Sequence, residues 1–363
     1  MSFTIAQIAD ALGIRAEGDT ALTVTAVAEP RQAQASDLAL AMKPDFAEQL
    51  SEGKARAAML WDGADWQAMG LKAALMSPRP RYAMSGLSAM MDAGAGYAAG
   101  IHPTAVIDPT ARLAEDVSVG AFAVIGAGAE IKAGSVIGAQ VFIGQGTVIG
   151  ADALLHPGVK IGHGVTIGDR FIAHFGATVG ADGFSFVTPE PSAAEKVRET
   201  LGDQAGASAQ SYARIHSLGG VVIGNDVELG ANSCIDRGTV RATRIGNGCK
   251  FDNLAQVGHN VVIGNDCLIC AQVGIAGSSR IGNNVVLGGQ TGVSDNIFIG
   301  DNVVTGGATK VLSNVPSGRV MLGYPAMKMD SQLEIYRQLR RLPRLIADVA
   351  RLKKSVSKTD ASD

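Results

Sequence analysis

The run VGHNVVIGNDCLICAQVGIAG, from Val257 to Gly277, is the clearest sign of how this 363-residue chain folds. Aliphatic residues recur in it at every sixth position, and the same period continues on both sides. The members of this six-residue series are Ile245, Phe251, Val257, Ile263, Ile269, Ile275, Ile281, Leu287, Val293 and Ile299. A period of six fits neither an amphipathic helix nor an alternating strand. It is typical of a parallel β-helix in which each hexapeptide points one aliphatic side chain into the core.

A second block of the same period lies earlier in the chain. Its thirteen members are Ile107, Leu113, Val119, Ile125, Ile131, Ile137, Ile143, Ile149, Leu155, Ile161, Ile167, Ala173 and Val179. The period stops after Ala181, resumes at Ile223, slips by four residues between Asp236 and Arg244, and then runs to about Val311. Three hexapeptides complete one triangular coil, so residues 18 apart should stack on adjacent coils, roughly 4.8 Å apart.

Composition agrees with a coil built from aliphatic side chains. The chain is 47% hydrophobic but only 5% aromatic, and it has 46 glycines for tight corners. A net charge of −3 favours neither a nucleic-acid partner nor a polybasic membrane surface. The N-terminal sequence lacks the features of a signal peptide, and no apolar run is long enough to predict a membrane span.

The four cysteines, Cys234, Cys249, Cys267 and Cys270, all lie within the repeats. Cys249 and Cys267 each follow an inward-pointing residue by four positions, where a small side chain fits. Cys267 and Cys270 form a lone C-x-x-C pair, which is weak evidence for zinc. We therefore expect free structural thiols, which suit a reducing cytoplasm.

Three regions follow from the extent of the repeats. Residues 1–100 lack the period and predict a small α/β domain, with a first helix over Thr4 to Leu12 capped by Thr4. Residues 101–326 predict the β-helix, interrupted by an inserted loop at 181–217. That loop is polar, and an insertion in a solenoid usually emerges on the binding face. The sequence assigns no role to its long central part, 186–215.

Residues 327–363 predict C-terminal helices. Leu339, Leu342, Ile346, Val349 and Leu352 follow helical spacing, and Pro343 predicts a break into two short helices. The segment 328–354 has eight basic and three acidic residues, a charge of +5 in a chain of net charge −3. It predicts either a solvated helix face or a docking patch for an acidic partner.

Three histidines in the first block raise the possibility of a metal site. His156 and His174 are 18 residues apart and should stack, and His163 is the natural third ligand. Hexapeptide-repeat carbonic anhydrases hold zinc with three histidines. His163 occupies a different position within its repeat, however, and the HxxxH spacing of those enzymes is absent. The sequence therefore favours a solvent-facing stack or a substrate contact over a metal site.

A second candidate site is centred on His259. Gly277 follows it by 18 residues, so a bare backbone position should stack beside the imidazole on the next coil. A glycine there lets a carbonyl approach closely, and its N–H can stabilise an oxyanion. A base beside an oxyanion donor is a minimal acyl-transfer site. Asp252, seven residues before His259, is a candidate for orienting the ring.

Four runs in the sequence resemble the UDP-3-O-acylglucosamine N-acyltransferases of lipid A biosynthesis. They are Ile235-Asp236-Arg237-Gly238-Thr239, Phe251-Asp252-Asn253, Val257-Gly258-His259-Asn260-Val261-Val262-Ile263-Gly264 and Gly180-Ala181-Asp182-Gly183-Phe184. The resemblance covers nearly the whole chain, and the Asp-Arg-Gly-Thr and Gly-His-Asn runs are specific among hexapeptide proteins.

The resemblance implies a mainly β fold, a left-handed parallel β-helix with an N-terminal α/β domain and C-terminal helices. It also implies a homotrimer with active sites between subunits, His259 as general base and Gly277 as oxyanion donor. The family moves a 3-hydroxyacyl chain from acyl carrier protein to the 2-amine of UDP-3-O-acylglucosamine, with no metal or cofactor. Because the carrier is strongly acidic, Arg340, Arg341 and Arg344 become candidates for carrier docking.

The resemblance also implies a uracil site within residues 40–46. Phe46 matches one aromatic contact and Lys43 a polar one, whereas Leu40 stands where a second aromatic residue is usual. Asn296 stands where some relatives have a second histidine. Phe184 is a candidate wall of the acyl groove.

The fold alone admits other functions. One alternative is a hexapeptide acyltransferase or acetyltransferase that uses a CoA donor, which the N-terminal domain and the Asp-Arg-Gly-Thr match disfavour. A zinc-binding β-helix and a non-catalytic trimeric scaffold are alternatives from other functional classes.

Overall fold

The structure, a computed structural model, describes residues 2–192, 195, 209–323 and 326–359, and in the last helix it describes side chains as far as residue 353. The chain divides into two compact units, residues 1–96 and 97–363. Part of the long insertion, at 193–194 and 196–208, lies outside the described residues, as does the side chain of Lys354.

The first unit is a mixed sheet with helices. Its five-stranded sheet has the order Arg15–Gly18, Ala73–Ser77, Ala57–Trp61, Asp37–Leu40 and Ala26–Ala28. Arg15–Gly18 is antiparallel to its neighbour and the other strands are parallel. A second, two-stranded sheet pairs Phe3–Thr4 with Thr23–Val24. The helices are Ile5–Leu12, Pro44–Ala47 and Pro80–Met91, with a 3-10 helix at Glu48–Glu52.

The first helix begins and ends where the sequence predicts. Thr4 Oγ1 accepts the Gln7 N–H at 3.2 Å, and Gln7 Oε1 accepts the Thr4 N–H at 2.8 Å, forming a capping box. Gly13 ends the helix with a φ of 62°, a left-handed conformation that glycine adopts without a steric penalty.

The second unit contains a parallel β-helix of three faces, which contain ten, nine and ten strands among the described residues. Face A contains Val106–Ile107, Val124–Ile125, Phe142–Ile143, Lys160–Ile161, Thr178–Ala181, Cys234–Asp236, Gln256–Val257, Gly274–Ile275, Gly292–Val293 and Lys310–Val311. Face B contains Arg112–Leu113, Glu130–Ile131, Val148–Ile149, Val165–Ile167, Val221–Ile223, Thr243–Ile245, Val262–Ile263, Arg280–Ile281 and Phe298–Ile299. Face C contains Ser118–Val119, Val136–Ile137, Leu154–Leu155, Ile172–Ala173, Glu228–Leu229, Lys250–Phe251, Leu268–Ile269, Val286–Leu287, Val304–Thr305 and Val320–Met321. Corners A, B and C are the turns that follow the strands of each face.

The strand register confirms the predicted parallel β-helix. Val257 pairs with Ile275, 18 residues later, and both side chains are buried in one continuous core. Across the four-residue slip the spacing grows to 22, as in the pair Ile235 and Val257. Across the insertion, Val179 pairs with Ile235. The extra residues therefore leave the stack as loops at a corner, and the core continues past them.

The cysteines have the burial and the oxidation state that the sequence predicts. Cys249 and Cys267 are buried in the core of the β-helix. All four cysteines are free thiols.

The insertion begins and ends in a short hairpin that the sequence analysis did not predict. Phe186–Val187 pairs with Ala213–Arg214 in antiparallel register. The Arg214 guanidinium lies 4.8 Å from the centre of the Phe186 ring, a cation–π contact that joins the two strands.

The C-terminal helix corrects one prediction. Met329–Thr359 is one helix with Pro343 inside it, not two short helices. Proline removes one backbone hydrogen bond and crowds the preceding turn, a local cost of about 3 kcal/mol. The residues around Pro343 include Leu342, Arg344 and Leu345, which are good helix formers, so the helix resumes directly after it. No helix among the described residues combines the length and the apolar character needed to cross a bilayer.

Candidate active site

The stacking of the β-helix brings His259 and Gly277 together at corner A. Both residues follow paired strands of face A by two positions, so they lie level on adjacent coils. A Cβ atom placed on Gly277 would lie 2.8 Å from both Cε1 and Nε2 of the His259 ring. Any side chain at position 277 would therefore displace the imidazole from the backbone that it contacts.

A second glycine contacts the same imidazole. A Cβ atom placed on Gly183 would lie 2.6 Å from Cβ and 3.1 Å from Cδ2 of His259. The Gly183 N–H donates to Ser217 Oγ at 3.1 Å, which ties the start of the insertion to its end. Gly183 lies in the run Gly180-Ala181-Asp182-Gly183-Phe184, and the sequence predicts no role for it. Its contact with His259 spans 76 positions and crosses a loop, so the 18-residue rule could not reveal it.

The backbone around the ring leaves the Gly277 N–H open among the described residues. Ser278 N–H donates to His259 O at 2.9 Å, and Asn296 N–H donates to Gly277 O at 3.1 Å. Among the hydrogen bonds of the described residues, none has the Gly277 N–H as its donor. An amide beside a histidine on a cavity wall is the arrangement that can stabilise an oxyanion next to a base.

Within this chain the hydrogen-bond partner of the ring is Asn260 and not the predicted Asp252. His259 Nδ1 lies 2.9 Å from Asn260 Oδ1. Asp252 follows a strand of face C, and its Oδ1 accepts the Asn253 N–H at 2.7 Å. A shift of seven residues moves the chain on to another corner, because only residues one full coil apart stack. Within this chain Asp252 therefore lies at another corner and has a different hydrogen-bond partner, and its role as an orienting group stays a prediction.

His259 and Gly277 line a cavity of about 650 Å³. The other lining residues are Phe184, Ser185, Phe186, Asp236, Gln256, Gly258, Ile275, Ala276, Ser278, Asp295 and Asn296. Two predicted residues, Phe184 and Asn296, thus belong to the same cavity. Phe184 is 85% exposed and meets Phe186 edge-on at 5.1 Å between ring centres, so an apolar ligand could cover it.

A buried carboxylate also faces this cavity. Burial raises the pKa of Asp236, while hydrogen bonds from Gln256 and Cys234 and the charge of His259 act in the opposite direction. Burial likewise raises the pKa of the Cys234 thiol to about 12, with the charge of Asp236 adding to the effect. A thiol in that state is a poor nucleophile, which leaves the imidazole as the reactive group at this wall.

The three predicted uracil contacts lie in one short segment of the first unit. Leu40 ends a strand and is half-buried against the core of that unit. Lys43 is the residue before the helix Pro44–Ala47, and Phe46 lies within that helix with 46% of its surface exposed. Lys43 and Phe46 are thus available to a ligand, whereas Leu40 contributes mainly to packing.

Arg340, Arg341 and Arg344 are exposed on one helix, Met329–Thr359. The same helix exposes a row of large apolar side chains, among them Leu339, Leu342 and Leu345.

The three histidines of the first repeat block do not converge on one point. His156 and His174 stack as predicted, with ring centres 5.0 Å apart and planes 10° apart. His174 Nε2 lies 2.9 Å from Glu228 Oε1 and His156 Nδ1 lies 2.8 Å from the Tyr97 hydroxyl. His163 instead faces the Arg237 guanidinium, with Nη1 2.9 Å from Nδ1. The described part of the chain contains no group of three His, Cys, Asp or Glu side chains arranged to hold a metal ion.

Comparison with known proteins agrees with this architecture. A family model described as bacterial transferase hexapeptide (six repeats) matches residues 242–277. The chain is 63% identical over 363 residues to a UDP-3-O-acylglucosamine N-acyltransferase of Ruegeria pomeroyi, covering 100% of both chains. It is 57% identical over 358 residues to a UDP-3-O-acylglucosamine N-acyltransferase of Paracoccus denitrificans, covering 99% of this chain and 98% of the other.

A solved structure of an Arabidopsis UDP-N-acetylglucosamine acyltransferase superposes with a TM-score of 0.50 at 22% identity. The match covers 62% of this chain and 71% of the other. At that identity the likeness concerns the fold alone.

Proposed function

Because this chain belongs to the UDP-3-O-acylglucosamine N-acyltransferase family, we propose that it moves a 3-hydroxyacyl chain from acyl carrier protein to the 2-amine of UDP-3-O-acylglucosamine in lipid A biosynthesis. The observation that carries the proposal is the contact between the His259 imidazole and Gly277 on the wall of an open cavity.

In the proposed reaction His259 is the general base. The amine nitrogen attacks the thioester carbonyl carbon as His259 Nε2 takes the amine proton. The carbonyl oxygen becomes an oxyanion that accepts the Gly277 N–H. When the C–S bond breaks, the carrier sulfur leaves and takes the proton from the imidazolium, so the base is regenerated. These steps use no metal ion or diffusible cofactor.

The two glycines at the ring support this reaction. Gly183 and Gly277 leave the imidazole in contact with backbone on two sides. A ring held in this way has little freedom to rotate away from the substrate, and correct positioning contributes much of an enzyme's rate. Phe184, exposed at the same cavity, is the proposed contact for an acyl chain, and Asn296 the proposed polar contact.

We assign uracil binding to the first unit. Phe46 offers an exposed aromatic face and Lys43 an exposed ammonium within one turn of chain. The half-buried Leu40 would supply an apolar edge. A Phe46→Ala variant should raise the KM for the nucleotide sugar and leave the KM for the acyl donor unchanged.

We assign carrier docking to Arg340, Arg341 and Arg344. All three are exposed, and the surrounding segment 328–354 has a charge of +5 by sequence. Reversing these three charges to Glu should raise the KM for the acyl carrier about tenfold at low salt, with little change for the nucleotide sugar. Equal effects on both substrates would count against docking at this helix.

The protein is proposed to act as a homotrimer in the cytoplasm. Its four free cysteines suit a reducing compartment. Sedimentation equilibrium on the purified protein would measure the oligomeric state directly.

The decisive experiment is an acyl-transfer assay with UDP-3-O-acylglucosamine and acyl carriers of graded chain length. We expect turnover with carrier-bound 3-hydroxyacyl chains and much slower turnover with the matching CoA thioesters. Faster turnover with CoA donors would favour the alternative donor class. No turnover with either donor, together with bound zinc by metal analysis, would replace the acyltransferase with a zinc-binding β-helix.

A further inference from the structure

One coil of the β-helix contains four residues more than the regular 18, and those residues surround Asn260, the neighbour of His259. The expanded coil raises the register from 18 to 22 between Ile235 and Val257. The extra chain leaves corner A as a loop, residues 237–242, between the strands Cys234–Asp236 and Thr243–Ile245. Three hydrogen bonds join this loop and Thr243 to Asn260, a residue with only 8% of its surface exposed.

The loop fixes the orientation of the Asn260 amide. Thr239 N–H donates to Asn260 Oδ1 at 3.1 Å, and Asn260 Nδ2 donates to Arg241 O at 2.9 Å. A backbone N–H can only donate and a carbonyl can only accept, so these partners distinguish the oxygen from the nitrogen of the amide. The backbone of Asn260 is also held, because its N–H donates to Thr243 Oγ1 at 2.9 Å.

That orientation determines which imidazole nitrogen is protonated. Asn260 Oδ1 is an acceptor and lies 2.9 Å from His259 Nδ1, so Nδ1 must carry the hydrogen. The neutral ring then has its lone pair on Nε2, which with Cε1 is one of the two ring atoms nearest to Gly277. A base needs its lone pair at the atom nearest the reacting proton.

We propose that the four-residue expansion at 236–244 is a tautomer-setting device, which acts through Asn260 to keep the lone pair of His259 on Nε2. Asn260 is thus a positioning residue for the reaction proposed above, and the inference rests on that proposed function. The amide also does this without adding a negative charge beside the base, as the carboxylate of an Asp would.

The direct test is ¹⁵N NMR of the imidazole, because the shifts of protonated and unprotonated ring nitrogens differ strongly. The His259 signals are identified by their loss in His259→Gln. In the wild-type protein, at a pH where the ring is neutral, we expect Nδ1 protonated and Nε2 unprotonated. A wild-type ring protonated on Nε2 overturns the proposal, whatever the variants do.

The kinetic test uses two substitutions. Asn260→Ala removes the acceptor and should lower kcat/KM about tenfold or more, with a mixture of tautomers in the NMR spectrum. Asn260→Asp keeps an acceptor for Nδ1 and for Thr239, and so covers the case in which Asn260→Ala does not fold. Its carboxylate stabilises the imidazolium, so the acid limb of the kcat/KM profile should move up by about one pH unit.

A matched control variant separates the effect of a carboxylate beside His259 from the effect of an Asn→Asp change in any left-handed turn. Asn284 is also an asparagine in the left-handed conformation, but it lies at corner B, where its Nδ2 donates to Asn302 Oδ1 at 2.8 Å. Asn284→Asp should leave the pH profile unchanged. Asp236, which faces the same cavity as His259, is kept in every variant. An unshifted acid limb in Asn260→Asp contradicts the proposal.

The test also separates this inference from the proposed function. The NMR measurement needs no substrate. If the wild-type protein transfers no acyl group, the proposed function fails, while the tautomer is still decided by the spectrum.

Discussion

Two corners of the same β-helix place different residues at the same turn position, two residues after the buried aliphatic one. At corner B this position is occupied by Asn247, Asn265 and Asn283 on successive coils. Asn247 N–H donates to Asn265 Oδ1 at 2.8 Å, and Asn265 N–H donates to Asn283 Oδ1 at 2.9 Å. Each amide is satisfied by the side chain that stacks on it.

At corner A the equivalent residues are His259 and Gly277. Glycine has no side chain to accept from the His259 N–H, and neither that N–H nor the Gly277 N–H donates to an acceptor found among the described residues. Each such ladder bond contributes about 1 kcal/mol to stability. The same stacking rule therefore builds a structural ladder at corner B and, where ladder bonds are given up, an open donor beside a histidine at corner A.

The largest difference in turnover between the corners should appear when one side chain at each is replaced by alanine. His259→Ala removes the proposed base and should lower kcat by about 100-fold or more without disrupting the fold. Asn265→Ala, the matched change at corner B, should leave kcat near the wild-type value and lower the free energy of unfolding by about 1 kcal/mol. Steady-state kinetics and urea unfolding measure the two effects. Near-normal turnover by His259→Ala would refute the base.

Part of this comparison could be predicted from the sequence and part could not. The six-residue period predicts the faces, and a spacing of 18 is enough to place His259 beside Gly277. The other partners of the His259 ring do not follow from the repeat period. Gly183 reaches it through the insertion, and Asn260 is oriented by the loop of the expanded coil. The path of a loop depends on its own hydrogen bonds, which no repeat period encodes.

The same limit applies to Asp252. A position seven residues away looks close in the sequence, but the chain turns a corner every six residues. Asp252 therefore lies on another corner, where its charge raises the pKa of Cys270 as the smaller effect beside burial. Periodicity specifies which residues stack and does not specify which neighbours a turn brings together.

A smaller effect on turnover is expected when Gly277 is replaced. A methyl group at Gly277 would lie 2.8 Å from the ring, so Gly277→Ala should displace the imidazole and crowd the open amide. Because misplacement of a catalytic group by about 1 Å costs up to 100-fold, we expect kcat to fall roughly ten- to hundred-fold.

Gly289 provides the matched control at corner C. It occupies the same turn position, and a Cβ atom there would meet only Ala271 O, at an ordinary 3.4 Å. Gly289→Ala should keep both turnover and thermal stability close to the wild type. Equal losses in the two alanine variants would mean that position 277 matters for the coil and not for the chemistry.

The smallest expected effect concerns the pH dependence of stability, and its sign should differ between the corners. Burial raises the pKa of Asp236 at corner A above its ordinary value of 3.8. This contribution favours the folded state below pH 3.8 and is lost as the pH rises through the folded pKa. At corner B, hydrogen bonds from Arg170 lower the pKa of the exposed Asp226 below 3.8, so its contribution is present above that pH and is lost on acidification.

Neutral amides at the two positions should therefore shift the melting temperature in opposite directions. At pH 7, Asp236→Asn should raise Tm because an uncharged group replaces a buried carboxylate, and Asp226→Asn should lower it slightly because the Arg170 pair is exposed. The Asp236→Asn difference should shrink as the pH falls through the raised folded pKa of Asp236, above 3.8. The Asp226→Asn difference should shrink only at lower pH, through the lowered folded pKa of Asp226. Differential scanning calorimetry from pH 3 to pH 7 measures the curves. If the two variants shift Tm in the same direction at pH 7, the electrostatic contrast between the buried carboxylate at corner A and the solvated one at corner B does not hold.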